Sequence, residues 1–167
     1  RACTGGALEL DARVTERGAL GSLRSGSAVV GSLTMDASAF DALVAVAALR
    51  EPTAPAAGRL AEKRAQAPRS LLAYADASGD KNPLHTYPAI AALAGFDGPI
   101  VHGKWTEAYA LHRITRVAAE GDAGRVTRSA ARFLAPVAPG AALVVSIDAL
   151  ARSQGALDVR AVVEADG

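Results

Sequence analysis

The first regular pattern in the chain is an alternation of apolar and polar residues over 8–15. Its apolar positions are Leu8, Leu10, Ala12 and Val14. A period of two is typical of a strand with one buried face, so a strand is predicted here. Residues 28–35 have a similar but less regular pattern, which predicts a second strand.

A helical period follows these two strands. Apolar residues recur at three- and four-residue spacing from Phe40 to about residue 50, after a capping box formed by Ser38 and Asp41. Pro52 ends this helix, and residues 52–58 have the composition of a linker. The chain is therefore predicted to divide into residues 1–58 and 59–167.

The part from residue 59 onward contains one long helix and several strands. The apolar stripe of the helix runs from Gly103 to about Glu120, and Gly121 is expected to end it. Shorter helices are predicted at 71–77, with Ser70 as the cap, and at 88–94. Strands are predicted at 59–67, 126–134, 143–151 and 156–165. One long helix with antiparallel strands indicates an α+β fold in which the sheet covers the apolar face of the helix.

Composition narrows the class of protein. The 167 residues are 50% hydrophobic and carry a net charge of +1, so neither nucleic acid nor an anionic membrane surface is an expected partner. Cys3 is the single cysteine, which excludes an internal disulfide and fits a reducing compartment. The longest apolar stretch, 43–49, is too short to span a bilayer. These features predict a cytoplasmic location. The chain begins without methionine and stops just after a strand-like run, which predicts a segment of a longer protein.

The most informative motif is a loop that joins an acid to a histidine. It reads Gly79-Asp80-Lys81-Asn82-Pro83-Leu84-His85. Gly79 permits backbone geometry that other residues avoid, and Asn82-Pro83 forms turns. The loop should therefore hold the side chains of Asp80 and His85 toward one point, although an isolated Asp in such a turn more often only caps the turn.

A second string opens the long helix. It reads Gly98-Pro99-Ile100-Val101-His102-Gly103. A helix N-terminus offers unpaired N–H donors and partial positive charge, and glycine lets a ligand approach the backbone closely. The backbone N–H of Gly103 is therefore a candidate donor to an oxyanion.

Together the two strings resemble the signature of the MaoC-like, (R)-specific enoyl-thioester hydratase family. That signature is G-D-x-N-P-(apolar)-H followed by apolar-x-H-G, and Phe133, Pro136 and Gly140 match a further turn of the family. The resemblance implies a hot-dog fold for 59–167, an antiparallel sheet wrapped around a long helix. Residues 1–58 would then be a remnant of a preceding non-catalytic hot-dog unit.

The resemblance also implies a chemistry. Asp80 and His85 would be the acid–base pair, Gly103 the oxyanion donor, and His102 and Asn82 further substrate-binding or oxyanion residues. The reaction would interconvert (3R)-hydroxyacyl and trans-2-enoyl thioesters carried on CoA or on the phosphopantetheine of an acyl carrier protein. No metal and no other cofactor is expected.

The dehydratase region of bacterial type I fatty acid synthases is similar to this chain over both strings. This similarity implies the catalytic half of a double hot-dog, with other synthase domains as partners. Three alternatives remain open: a stand-alone (R)-specific enoyl-CoA hydratase working as a homodimer, a non-catalytic acyl-binding module, and a hot-dog thioesterase.

Several residues carry a second interpretation. His102 has about equal support as a substrate contact and as a structural residue of the loop before the helix. Lys104 stands where the family often has methionine, and Tyr87 where many members have aspartate. His112 lies mid-helix and is expected to be either exposed or a histidine with its hydrogen bonds satisfied. With these spacings the three histidines predict no metal site.

Overall fold

A computed structural model of the chain describes residues 6–15, 58–153 and 155–166. The strands are β1 (Gly6–Thr15), β2 (Gly58–Gln66), β3 (Val126–Phe133), β4 (Ala142–Ser153) and β5 (Ala156–Ala165). The helices are α1 (Leu72–Ser78), α2 (Pro88–Leu93) and α3 (Gly103–Ala118), with single 3₁₀ turns at Pro83–His85 and Ala123–Arg125. The strand predicted at 28–35, the helix after Phe40, the linker and Cys3 lie outside the described residues.

The described strands form one antiparallel sheet in the order β2-β4-β5-β1-β3. Helix α3 packs on one face of this sheet, chiefly against β5 and β1. The predicted α+β architecture and all strands predicted within the described residues are confirmed. Their ends differ from the predictions by no more than a few residues, because strand ends depend on the pairing partner as well as on local pattern.

Strand β1 shows how the alternating pattern produces a two-faced sheet. Leu8, Leu10, Ala12 and Val14 are buried against the core, as the period of two predicts. The strand lies between β5 and β3, with Leu10 opposite both Ala161 and Ala131.

The position of β1 corrects the predicted division at residue 58. Residues 6–15 pair along their length with strands from the part after residue 59, so they belong to the same sheet. The local sequence pattern could not show this. A pattern of apolar and polar residues over about ten positions predicts a strand, but it does not indicate a pairing partner more than 100 residues away. The suggested origin of residues 1–58 as a remnant of another unit stays a prediction.

Helix α3 supplies the other half of the core. Ala110 and Ile114 have no exposed surface, and Trp105 packs partly buried beside them. Burial of a side chain such as Ile114 contributes roughly 1.5–3 kcal/mol, so this contact fixes the helix on the sheet. Within the described residues, no helix is long and apolar enough to cross a bilayer.

Two helix boundaries test the predicted caps. Gly121 has φ 87° just beyond α3, and its N–H donates to the carbonyl of Thr115, so the predicted end is confirmed. The predicted Ser70 cap is wrong: Leu71 occupies the N-cap of α1, with no side-chain cap hydrogen bond. The N–H groups at this end therefore lack the partner that a serine hydroxyl would supply.

Cross-strand ion pairs cover the face of the sheet opposite α3. Arg13 on β1 donates to both carboxylate oxygens of Asp158 on β5, at 2.7 and 2.8 Å. Asp11 accepts from Arg160 in the same way, and Glu9 accepts from Arg132. The Arg13 hydrogen bonds lower the pKa of Asp158 below its usual value. The polar positions of β1 thus make specific contacts across the sheet.

The Arg13–Asp158 pair predicts a pH-dependent part of the stability. Because the pKa of Asp158 is lower in the folded state, its contribution is complete above the unfolded value of about 3.9 and is lost as pH falls through the folded value. We expect Asp158→Asn to unfold more easily at pH 7 and to lose less further stability between pH 5 and 2 than wild type. Urea unfolding at each pH measures this.

Asp97→Asn is the matched control, since Asp97 forms no ion pair among the described residues. Parallel pH profiles for wild type and Asp158→Asn would contradict the assignment.

Candidate active site

The loop after α1 is held by hydrogen bonds within its own turns. Gly79 takes a left-handed conformation, φ 77°, and its N–H closes the helix on the carbonyl of Ala75. Asp80 Oδ1 then accepts from the Asn82 N–H at 3.2 Å, and Asn82 Oδ1 accepts from the Leu84 N–H at 3.0 Å. These two Asx-type turns lead into the 3₁₀ turn that carries His85.

Asn82 therefore contacts the loop in this structure. Its side-chain oxygen caps the 3₁₀ turn, and the residue does not line the cavity described below. The structure thus gives it a loop-forming position, whereas the sequence analysis had grouped it with the substrate-binding residues.

His85 is buried, and a backbone carbonyl sets its tautomer. Nδ1 lies 2.8 Å from the carbonyl oxygen of Ile100. A carbonyl can only accept, so Nδ1 carries the proton and the neutral ring has a free lone pair on Nε2. That Nε2 atom lies 4.0 Å from Oδ2 of Asp80.

The separation of these two atoms suits a shared water. At 4.0 Å they are too far apart for a direct hydrogen bond. One water oxygen can nevertheless lie about 2.8 Å from each of them. Asp80 is half-exposed while His85 is nearly enclosed, so water reaches the pair through the exposed carboxylate. The predicted convergence of Asp80 and His85 is present.

His102 lies against both members of this pair. Its ring is 1% exposed and stacks on His85 with centroids 3.8 Å apart and planes at 27°. Its Nε2 lies 3.1 Å from the backbone carbonyl oxygen of Asp80. The ring of Tyr74 also lies beside His102, with centroids 4.9 Å apart and planes at 58°.

An apolar cavity of about 280 Å³ opens beside the pair. His85 and Gly103 both line it, together with apolar side chains from β3 and the loops around it. These include Phe96, Ile100, Phe133, Leu134 and Val137. Thr106 also lines the cavity, and its buried hydroxyl has no partner among the described residues.

Gly103 is the first residue of α3, and its N–H forms no backbone hydrogen bond within the described part of the chain. A Cβ at this position would lie 3.0 Å from Cε1 of Phe133. A larger residue at 103 would therefore push the Phe133 ring aside, and glycine lets this ring lie beside a free backbone donor.

The model of the family described as "MaoC like domain" matches residues 50–165. The chain belongs to this family. The match includes both strings of the candidate site and confirms the resemblance on which the sequence analysis relied.

Three similar proteins illustrate the MaoC-like relatives. Enoyl-CoA hydratase 2, peroxisomal, from Arabidopsis thaliana is 41% identical over 86 residues, which are 52% of this chain and 27% of that protein. The 3-hydroxyacyl-thioester dehydratase Y of Mycobacterium tuberculosis is 46% identical over 67 residues, 40% of this chain and 23% of that protein. Fatty acid synthase beta subunit TOXC from Cochliobolus carbonum is 36% identical over 89 residues, 53% of this chain and 4% of that protein. This chain therefore spans about a quarter or less of each relative.

A solved structure supports the fold. Full-length peroxisomal multifunctional enzyme type 2 from Drosophila melanogaster superimposes with a TM-score of 0.51 at 28% identity, over 71% of this chain and 25% of that one. Together with the sheet wrapped against α3, this likeness confirms the predicted hot-dog fold of the MaoC-like family.

Three side chains of the site are close enough to be considered as metal ligands, which their spacing in the sequence did not indicate. Within the described residues, Asp80, His85 and His102 bring possible ligand atoms within 4.8 Å of one another. Imidazoles that share one ion must aim their lone pairs at one point about 2.0–2.1 Å from each nitrogen. The rings of His85 and His102 are stacked at 27°, an arrangement that does not aim both lone pairs at one point.

The remaining candidates have contacts or exposure of other kinds. Lys104 forms an ion pair with Glu107, at 2.6 Å, and His112 is exposed as predicted. Tyr87, at the position where many MaoC-like members have aspartate, is also exposed. Sequence analysis missed the roles of Ile100 as the carbonyl partner of His85 and of Thr106 in the cavity wall, since backbone acceptors and helix-face contacts have no residue-type signal.

The cap formed by Asn82 is open to a direct test. We expect Asn82→Ala to speed hydrogen exchange at the Leu84 amide and to cost about 1 kcal/mol, because the amide loses its acceptor. Asn82→Asp keeps the acceptor oxygen and should retain slow exchange. Hydrogen exchange followed by NMR measures both variants, and equal exchange at Leu84 in wild type and Asn82→Ala would contradict the capping role.

Proposed function

We propose that this MaoC-like chain is the catalytic part of a hydro-lyase that interconverts (3R)-hydroxyacyl and trans-2-enoyl thioesters in fatty acid metabolism. The observation that carries the proposal is the 4.0 Å gap between Asp80 Oδ2 and His85 Nε2 at the edge of an apolar cavity. The names of the plant and mycobacterial relatives, a hydratase and a dehydratase, describe the two directions of this reaction.

Hydration begins with a water held between Asp80 and His85. The water oxygen bonds to C3 of the enoyl group while one of its protons moves to the free lone pair of His85 Nε2. The electron pair of the double bond shifts toward the thioester oxygen. The imidazolium of His85 then returns the proton to C2, and the double-bond electrons form the new C–H bond. Asp80 orients the water and stabilises the transient positive charge on His85.

The thioester oxygen needs a donor while it carries enolate charge. The N–H of Gly103 is free for this role, lies at the positive end of α3, and belongs to a residue that lines the same cavity as His85. Preorganised donors of this kind are typically worth about 2.7–4 kcal/mol in the transition state. The apolar walls of the cavity provide the place for the acyl chain.

The proposal also includes the carrier of the thioester and the larger enzyme in which the chain works. The similarity to a fatty acid synthase beta subunit supports a substrate attached to an acyl carrier protein inside a larger synthase. The similarity to an enoyl-CoA hydratase supports a substrate attached to CoA. We favour the carrier protein and dehydration as the physiological direction. Parallel assays with crotonyl-CoA and with the crotonyl group on an acyl carrier protein distinguish the two carriers by kcat/KM. Cytoplasmic location and a homodimeric or double hot-dog partner stay predictions.

The acid–base pair is tested with variants that keep the local hydrogen bonds. Asp80→Asn retains an oxygen for the Asn82 N–H, and His85→Asn retains a donor near Nδ1 for the Ile100 carbonyl while removing Nε2. We expect each to lower kcat for trans-2-enoyl thioester hydration by about 10²–10⁴-fold, followed as loss of the conjugated thioester absorbance.

Asp76→Asn is the control, since Asp76 is an exposed carboxylate of α1 whose ion pair among the described residues is with Lys81. Wild-type turnover in either pair variant would overturn the mechanism.

The oxyanion donor is tested by comparing Gly103→Pro with Gly103→Ala. Both place a Cβ against Phe133, and proline is tolerated at the first position of a helix, but only proline lacks the N–H. We expect kcat of the proline variant to fall about 10²–10³-fold below that of the alanine variant. Equal kcat values in the two variants would exclude the Gly103 N–H as the donor.

A further inference from the structure

We propose that His102 is a positioning residue that holds both Asp80 and His85 in their reactive geometry without touching the substrate. The inference rests on the proposed function and deepens it. It is carried by the contacts of one buried side chain, which reaches the backbone of one member of the pair and the ring of the other.

The first contact fixes the backbone at Asp80. His102 Nε2 lies 3.1 Å from the Asp80 carbonyl oxygen, and since a carbonyl only accepts, Nε2 carries the proton. No other hydrogen bond to this carbonyl is present within the described residues. The other hydrogen bonds of Asp80 among the described residues are to Ser78 and Asn82, so within this part of the chain His102 is the hydrogen-bond link between the Asp80 backbone and the start of α3.

The second contact fixes the ring of His85. The bond from Nδ1 to the Ile100 carbonyl restrains the ring in its own plane. Stacking on His102 at 3.8 Å restrains rotation out of that plane. Two restraints in different directions hold Nε2 toward Asp80, and misplacement of a reacting group by about 1 Å typically costs about 10²-fold in rate.

The position of His102 excludes a substrate contact in this geometry. His102 is 1% exposed and does not line the cavity, whereas its neighbour Gly103 does. Its Nδ1 is buried with no hydrogen-bond partner among the described residues. The ring therefore contacts Asp80 and His85 from the side away from the cavity. His102 is also the N-cap of α3, so Gly103 with its free N–H is the first residue of that helix.

Two substitutions separate the two contacts. His102→Gln keeps an N–H donor at about the distance of Nε2 and loses the stacked ring. His102→Phe keeps a ring and loses the donor. We expect each variant to lower kcat for enoyl-thioester hydration by about 10- to 100-fold while KM changes less than about twofold, because the pair is displaced and the cavity is not. His102→Ala removes both contacts and should lose more kcat than either.

His112→Gln and His112→Phe are the matched controls, since His112 is an exposed histidine on the same helix. Circular dichroism and cooperative urea unfolding establish that each variant is folded. Wild-type kcat in both folded His102 variants would overturn the proposal. A raised KM with unchanged kcat would overturn it as well, since that result marks a substrate contact.

A measurement on the wild type needs neither turnover nor a variant. Long-range ¹H–¹⁵N NMR of the imidazoles should show His85 protonated at Nδ1 and His102 at Nε2 in the neutral rings. The opposite tautomer at His102 would overturn the positioning role, even if every variant fails to fold. A wild type that shows the expected tautomers but no turnover of either carrier's thioester would contradict the proposed function alone.

Discussion

The packing of α3 against β1 and β5 is the constraint on which the rest of the structure depends. Ala110 and Ile114 bury the helix in the sheet, and this fixes the place where the helix begins. Gly103 and His102 stand at that beginning, so the same packing sets a free backbone donor and a buried imidazole. The short loop of Asp80 and His85 is held to this region by the bond from His102 to the Asp80 carbonyl and by the bond from His85 to the Ile100 carbonyl.

Two backbone carbonyls determine the tautomers of the two histidines in the site. The Ile100 carbonyl leaves His85 with a lone pair on Nε2, and the Asp80 carbonyl leaves His102 with its proton on Nε2. Each ring therefore has one defined tautomer before any substrate is present. Such preorganisation costs nothing at the moment of reaction, which is why a few fixed dipoles can contribute more than flexible charges in water. The ion pairs on the opposite face of the sheet serve the fold and leave this side free.

Much of the fold follows from patterns that are local in the chain. The alternation in 8–15 and in 156–165, the apolar stripe after Gly103 and the turn at Gly121 each specify one element, because period two and period 3.6 bury different sets of positions. The Ser70 cap failed where a single residue type was the whole signal. The division at residue 58 failed for β1 because the composition of a linker says nothing about which strands pair across it.

The sequence by itself determined the family and the residues of the proposed acid–base pair. Its two motifs contain Asp80, His85 and Gly103. These residues could be identified from the sequence because their residue types, and the turn between Asp80 and His85, occur within short stretches of chain. Only the tertiary structure decided what surrounds them: that β1 lies inside the sheet, that the Phe133 ring lies close against Gly103, and that His102 stacks on His85 and bonds the Asp80 backbone. These contacts join residues far apart in the chain or involve backbone atoms common to all residues, so their geometry exists only once the helix is packed on the sheet.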